Sequence, residues 1–271
     1  RDEKILTSWN GLMIGTLAEA GRILGASRFT DAASAAAEFV WNELRRNGKL
    51  LHVWARGNAK QSAFLDDHVF FAEALVDLYE ATGERGHLKR ATELVEALDA
   101  RFHDDSAGGY FFSAHDEERL IARSKPTADS SLPSGNSAAA HLLLRLHHLT
   151  GTESHRERAE EILHLLNTGA TENPFGYATL LQAIELYAKG PTEVIVVGRP
   201  GHPETDALWG VAAETFLPHR TLVRVAPDDP DPLAPARDRP ARDGRATAYV
   251  CRSFTCSAPV TEPSALRELL A

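Results

Sequence analysis

The chain reads as a mainly α protein, built of helical hairpins packed in two layers and followed by a small α/β unit. Three observations predict this. Long segments with helical spacing alternate between helices that are apolar nearly all round and helices with one charged face. The first kind opens on compact polar clusters: Thr7-Ser8-Trp9-Asn10-Gly11, Phe64-Leu65-Asp66-Asp67-His68 and Pro133-Ser134-Gly135-Asn136-Ser137. After Gly190-Pro191 the pattern changes to short β-branched runs separated by helical stretches. Buried inner helices would then present their polar N-termini at one common end. Free N–H groups and positive potential there suit oxygen-rich or anionic ligands.

The first helix is expected over 9–24, where Leu12, Ile14, Leu17, Ala18 and Ile23 cover most of the circumference and Gly25 ends it. The second, over 30–44, is alanine-rich and turns Phe39, Val40 and Leu44 inward. Residues 50–61 read as a connection with strand character at Leu51-His52-Val53-Trp54. The third helix, over 66–81, is apolar on nearly every side and therefore buried, whereas the fourth, over 86–102, keeps Lys89, Arg90, Glu93 and Glu96 outward. Residues 108–112 and 120–123 predict a β-hairpin around His115-Asp116-Glu117-Glu118. Three further helices follow over 134–148, 153–166 and 174–187, the middle one charged outside. A strand over 193–198, a helix over 203–216, a strand over 221–225, a solvated loop over 227–244, a strand over 246–251 and a helix over 262–270 complete the reading. Strand–helix–strand of this length fits a parallel α/β unit, so a helical domain over 1–190 and a small α/β subdomain over 191–271 are expected.

Composition narrows the functional classes. At 271 residues, 43% hydrophobic and 25% charged, the chain has the make-up of a globular protein with one large core and room for a satellite. A net charge of -9 argues against general nucleic-acid binding, which needs a basic face. No run of about 18 apolar residues predicts a membrane span. Arg1 opens no secretory leader and is not an initiator Met, which suggests a segment of a longer chain. Cys251 and Cys256 are too few for a disulfide framework, so a cytoplasmic setting is expected. Their spacing is not Cys-x-x-Cys; a strand-end pair able to oxidise is one reading, and structural cysteines are the favoured one. No cofactor or metal is expected. Gly198-Arg199-Pro200-Gly201 fits neither a dinucleotide nor a Walker pattern, and the histidines are scattered, with His147-His148 read as surface.

Asp66-Asp67-His68 is the best acid/base candidate. Adjacent helical residues diverge by about 100°, so one carboxylate can cap while the other projects into a cleft. Two close carboxylates also raise each other's pKa, as a general acid near neutrality requires. The reading assigns Asp67 as acid or base and Asp66 as its partner or cap. Plain N-capping by both is the competing explanation. Trp9 can stack on the apolar face of a pyranose while Asn10 binds hydroxyls, against the plainer alternative of a core Trp with Asn in a turn. Ser134 suffices as an N-cap. Gly135 and Asn136, both poor helix formers, suggest close approach of something at that terminus. Arg123, Ser124, Lys125 and Asp129 are candidates for the same mouth, or simply solvated loop charges.

These clusters, with the Asp2-Glu3-Lys4-Ile5-Leu6 lead-in, Gly108-Gly109-Tyr110-Phe111 and the late Cys251/Cys256 strand, recur together in a known order. The chain resembles the C-terminal portion of the spermatogenesis-associated-protein-20-like family over almost its whole length. His68 stands where that family suggests Tyr, and Ser130-Ser131 where it suggests Gly-Ala. The resemblance implies an (α/α)6 toroid like those of six-hairpin glycosidases and N-acylglucosamine 2-epimerases, here a partial one. Seven long helices against twelve in a closed toroid imply that the missing hairpins, and an upstream thioredoxin-like domain, lie before Arg1. Apolar faces so left bare would favour self-association. The functional expectation is a carbohydrate-active domain, glycoside hydrolase or sugar epimerase. The catalytic residues would be Asp67 and Asp66, and the substrate contacts Trp9, Asn10, His68, Arg123, Asp129, Ser134 and Asn136. The alternative is a non-catalytic toroid that binds a glycan or protein in the service of the thioredoxin-like domain.

Overall fold

The structure, a computed structural model, describes residues 2–117, 122–253 and 255–271. Seven helices form the first part: α1 (Thr7–Ile23), α2 (Ser27–Glu43), α3 (Leu65–Thr82), α4 (Arg85–Arg101), α5 (Gly135–Thr150), α6 (Glu153–Glu172) and α7 (Ala178–Lys189). They pack as hairpins α1/α2, α3/α4 and α5/α6, and the odd-numbered helices also pack side by side in sequence. That is an arc of an (α/α) toroid with an inner row α1, α3, α5, α7 and an outer row α2, α4, α6. The pattern of burial follows: α3 is buried almost all round through Val69, Phe70, Phe71, Ala72, Leu75 and Val76, while α4 buries one stripe, Leu88, Ala91, Leu94, Val95 and Leu98.

Helices α1 and α3 approach so closely that a Cβ on Gly11 would lie 2.7 Å from the Phe70 carbonyl carbon. Only glycine leaves room there for backbone against backbone. Between α2 and α3 the connection is more ordered than its sequence suggests. β1 (Ile5–Leu6), β2 (Arg45–Arg46), β3 (Lys49–Ala55) and β4 (Asn58–Ser62) form an antiparallel sheet with β3 at its centre. Pairing of Leu6 with Val53 fixes the start of α1 against this sheet.

Two local expectations are corrected. Residues 108–112, the first strand of the hairpin expected over 108–112 and 120–123, form no regular strand. Residues 118–121 lie outside the described residues, and Tyr110 pairs instead with His103 in an isolated bridge. Asp104 drives this, collecting the Ser106 and Ala107 N–H groups with one carboxylate oxygen and closing a turn that folds the segment back early. The seventh helix opens with a 3-10 turn, Pro174–Tyr177, before α7 begins.

The C-terminal part holds β5 (Thr192–Val197), α8 (Pro203–Glu214), β6 (Arg220–Val225), β7 (Thr247–Arg252), β8 (Thr255–Cys256) and α9 (Pro263–Leu270). Strand order is β6-β5-β7-β8, with β5 and β6 parallel and β7 antiparallel to β5. Alternation along the strands assigns the two faces. Ile195, Val197, Val223 and Tyr249 join the helical core, whereas Val194, Val196, Leu222, Ala248 and Val250 form a second core with Leu208 and Leu266 from α8 and α9. Gly198 serves this packing, since a Cβ there would meet Thr205 of α8 at 2.2 Å. Among the described residues no helix is long and apolar enough to cross a membrane.

The α1/α3 contact is the tightest test of the arrangement. Gly11→Ala is expected to cost about 1–3 kcal/mol by overpacking, read as a lowered melting temperature with the helical signal retained.

Candidate active site

The inner helices begin at one end, and side chains from one helix reach the start of the next. Asp67, in the first turn of α3, is fully buried at 0% exposure. Its Oδ1 accepts the Ser8 N–H of α1 at 2.9 Å, and its Oδ2 accepts the Phe64 N–H at 2.9 Å and lies 2.8 Å from His52 Nδ1. The carboxylate expected to project into a cleft is therefore the one turned inward. Three protein groups meet its oxygens, and almost none of the side chain reaches solvent.

Asp66 has the opposite environment. It is half-buried, and its carboxyl lies over Gly135 at the start of α5, where a Cβ would come within 2.3 Å of Oδ1. Gly135 is needed for that approach. Burial, and then the charge of Asp67, push the Asp66 pKa up to about 6, against a smaller lowering by His52. The two adjacent carboxylates thus have opposite environments: Asp67 is buried and hydrogen-bonded, and Asp66 is half-buried with a raised pKa.

His52 on β3 is the residue that sequence reasoning missed. With Asp67 Oδ2 as acceptor, Nδ1 carries the proton of the neutral ring and Nε2 is its acceptor nitrogen. The hydrogen bond to Asp67 raises the imidazole pKa, burial opposes it, and Asp66 adds to the rise. The ring also stands edge-on to Phe64, which stacks on Phe112 at 4.7 Å. The only sequence signal was an unpaired polar residue in the alternating run Leu51-His52-Val53-Trp54.

The remaining candidates divide. Trp9 projects with 61% of its surface exposed, beside the Ser8 that Asp67 holds, and so is not a core residue. Asn10 donates Nδ2 to the Leu6 carbonyl at 2.8 Å. His68 is buried with Nδ1 3.0 Å from the Phe64 carbonyl, and burial lowers its pKa to about 4. Asn136 is wholly buried: Oδ1 accepts the Tyr110 N–H, and Nδ2 donates to the Tyr110 and Pro126 carbonyls. Asp129 accepts the Ser134 N–H with one oxygen and the Thr179 N–H of α7 with the other, both at 2.8 Å. The Ser134 hydroxyl donates to the Pro126 carbonyl. Arg123 is held by the Ser113 carbonyl and lies over the Phe111 ring, while Lys125 reaches Asp104. Trp9 apart, these side chains are engaged by neighbouring protein groups.

Farther along the same helix faces, α3 places Glu73, Asp77 and Glu80 on the stripe that Asp66 begins. Seven residues, about 10 Å of helix, separate Asp66 from Glu73. Glu73 pairs with His141 of α5 at 2.9 Å, and Arg145 binds Asp77 and Glu80. With Glu19, Gln182, Glu185 and Arg220 these groups line a charged cavity of about 580 Å³. The i,i+7 spacing is the signal by which they could have been found.

Comparison with known proteins agrees with this architecture. No family model matches the chain. Solved structures with the same fold include a family 76 α-mannanase from Bacteroides thetaiotaomicron (TM-score 0.55, 12% identity, 69% of this chain and 54% of that one). They also include an unsaturated glucuronyl hydrolase from Bacillus sp. GL1 (0.52, 15%, 68% and 58%) and a cellobiose 2-epimerase from Bacillus thermoamylovorans (0.51, 16%, 60% and 44%). The helical arc is thus of the six-hairpin glycosidase-like class. In sequence, the chain is a homologue over its whole length of spermatogenesis-associated protein 20. It is 32% identical to the Rattus norvegicus protein and 31% identical to the Homo sapiens protein, over 99% of this chain. It spans 36% of the length of those relatives.

Two substitutions separate the carboxylates. Asp66 holds its proton in the folded chain up to about pH 6, whereas the unfolded chain loses it near pH 4. Its contribution to stability is therefore full at low pH and is lost as pH rises through 6. Asp66→Asn is expected to melt with the parent at pH 4 and to be more stable by about 1–3 kcal/mol at pH 8. Asp67→Asn, which leaves a buried donor without an acceptor, should lose about 1–3 kcal/mol across that range. It should also lower the His52 pKa, followed by the NMR titration of its ring protons.

Proposed function

We propose that Trp9 at the start of α1, His52 on β3 and Asp66 at the start of α3 make up a carbohydrate-active acid/base site of the sugar-epimerase type. The observation that carries this reading is the state of Asp66. It is a half-buried carboxyl that accepts no hydrogen bond from the described residues, with a pKa of about 6, beside an imidazole oriented by Asp67. Near neutrality such a pair holds one group able to accept a proton and one able to donate it. The carbon next to the carbonyl of an open-chain reducing sugar bears an acidic C–H. Asp66 and His52 would remove that proton and return it on the other face, and Trp9 would supply a stacking surface. Hydrolysis is the weaker reading, since it needs two carboxylates flanking the bond and Asp67 is committed inside. The epimerases and hydrolases among the fold's relatives support the substrate class by architecture alone. A thioredoxin-like domain and further hairpins, carried by the longer protein, belong to the same proposal.

The test is solvent exchange. Reducing mono- and disaccharides are incubated with the protein in deuterated water, and label at the carbon next to the carbonyl is read by NMR. Exchange is expected, reduced at least 100-fold in Asp66→Asn and in His52→Ala while both remain folded. Sugar binding without exchange would favour the glycan-binding toroid instead. Exchange that both variants leave intact would remove Asp66 and His52 from the mechanism.

A further inference from the structure

The second sheet ends in a group that the proposed sugar chemistry does not use. β7 and β8 meet at a tight turn where Cys251 faces Cys256 in register, and the two are joined as a disulfide. Cys251 is buried and lines a cavity of about 440 Å³ with Glu193, His148 and Tyr187, whereas Cys256 is exposed. Reading these two as plain structural cysteines is therefore incomplete. So is reading His148 as surface: it is half-buried, and burial lowers its pKa to about 4.

Arg239 comes from the loop before β7, well outside the turn. Its Nη1 donates to the Pro235 and Arg237 carbonyls, which leaves Nη2 3.3 Å from Cys251 Sγ and 3.4 Å from Cys256 Sγ. A bridge between residues five apart on strands already paired adds little by closing a loop. A guanidinium is not needed for a staple, and a neutral disulfide offers it a poor acceptor. It becomes useful when one of these sulfurs carries negative charge.

We propose that Cys251–Cys256 is a thiol–disulfide exchange site whose substrate class is a dithiol reductant, with Arg239 meeting the departing sulfur. One thiolate of the dithiol attacks Cys256 Sγ, the sulfur open to solvent. A sulfur–sulfur bond forms to Cys256, the Cys251–Cys256 bond breaks, and the electron pair leaves on Cys251 Sγ beside Arg239. The second thiol of the dithiol gives its proton to water and attacks its own partner sulfur in the mixed disulfide, releasing Cys256. Two electrons pass to the protein and the dithiol closes to its own disulfide. The two cysteines take up two protons from water, matching the two the dithiol gave up.

The experiment uses reduced dithiothreitol on the native protein, with timed quenching by iodoacetamide and mass counting of alkylated cysteines. The pair is expected to open while the far-UV circular dichroism is unchanged. Arg239→Gln should slow native reduction about tenfold. Arg239→Lys, which keeps the charge without the fork, should fall between the two. All three proteins should reduce alike once unfolded in guanidinium, which separates an effect on exchange from one on folding. A native pair that opens only as fast as the protein unfolds would overturn the proposal. Equal native rates for the parent and Arg239→Gln would overturn it too. Because neither outcome involves a sugar, the result stands apart from the fate of the epimerase reading.

Discussion

The inner helices are joined at one end by carboxylates that each accept N–H groups from the starts of two of them. The residues just before α1, α3 and α7 are Leu6, Phe64 and Tyr177, none of which caps through a side-chain oxygen, and the Ser134 hydroxyl before α5 is turned to Pro126. Asp67 instead joins Ser8 of α1 to the start of α3, and Asp129 joins the start of α5 to Thr179 of α7. Each carboxylate satisfies donors from two segments and sits in the positive potential of their dipoles. An internal cap would hold one helix. These hold pairs of helices in register.

That constraint explains which parts of the site were legible. The clusters around Trp9, Asp66 and Ser134 mark inner-helix starts, and the structure brings those starts together. The divergence of Asp66 and Asp67 also follows from helical period alone. Which of the two turns inward does not, because it depends on where α1 docks, and α1 is fixed by Gly11 against Phe70 and by β1 on β3. His52 belongs to the same missing information, since its strand is placed by long-range pairing. Asn136, a poor helix former in a first turn, does mark a close approach. What approaches it is the Tyr110 and Pro126 backbone rather than a ligand.

Asp66 is the residue that the capping network leaves over. Asp67 absorbs the available donors, so its neighbour keeps a half-buried charge with neither a hydrogen-bond partner among the described residues nor full hydration. Gly135 removes the one side chain that would have displaced the carboxyl. An ionised group in that position costs stability at neutral pH, and its energy is offset by the folding of the rest. Asn or Ser at this position would avoid that cost, which the proposed use of the Asp66 proton near pH 6 would account for.

At the other end of the arc, the same economy of charge attaches the sheet to the helices. Glu80 of α3, 1% exposed, binds Arg145 of α5 and Arg220 of β6, and its carboxylate reaches the Leu222 N–H on the outer side of β6. Arg224 of the same strand donates to the Thr82 carbonyl at the end of α3. A strand at the edge of a sheet offers unpaired backbone groups to any other chain. Here Glu80 in the last turns of α3 meets the one at Leu222. Arg22 completes the joint by donating from α1 to the Ala213 carbonyl of α8, buried enough that its pKa falls to about 10. Buried charges of this kind add little net stability over apolar packing, but removing one partner strands the others. They therefore fix where the sheet sits more than how tightly it is held. That placement leaves the 580 Å³ cavity between the helices and β6 lined by charge and not filled by it.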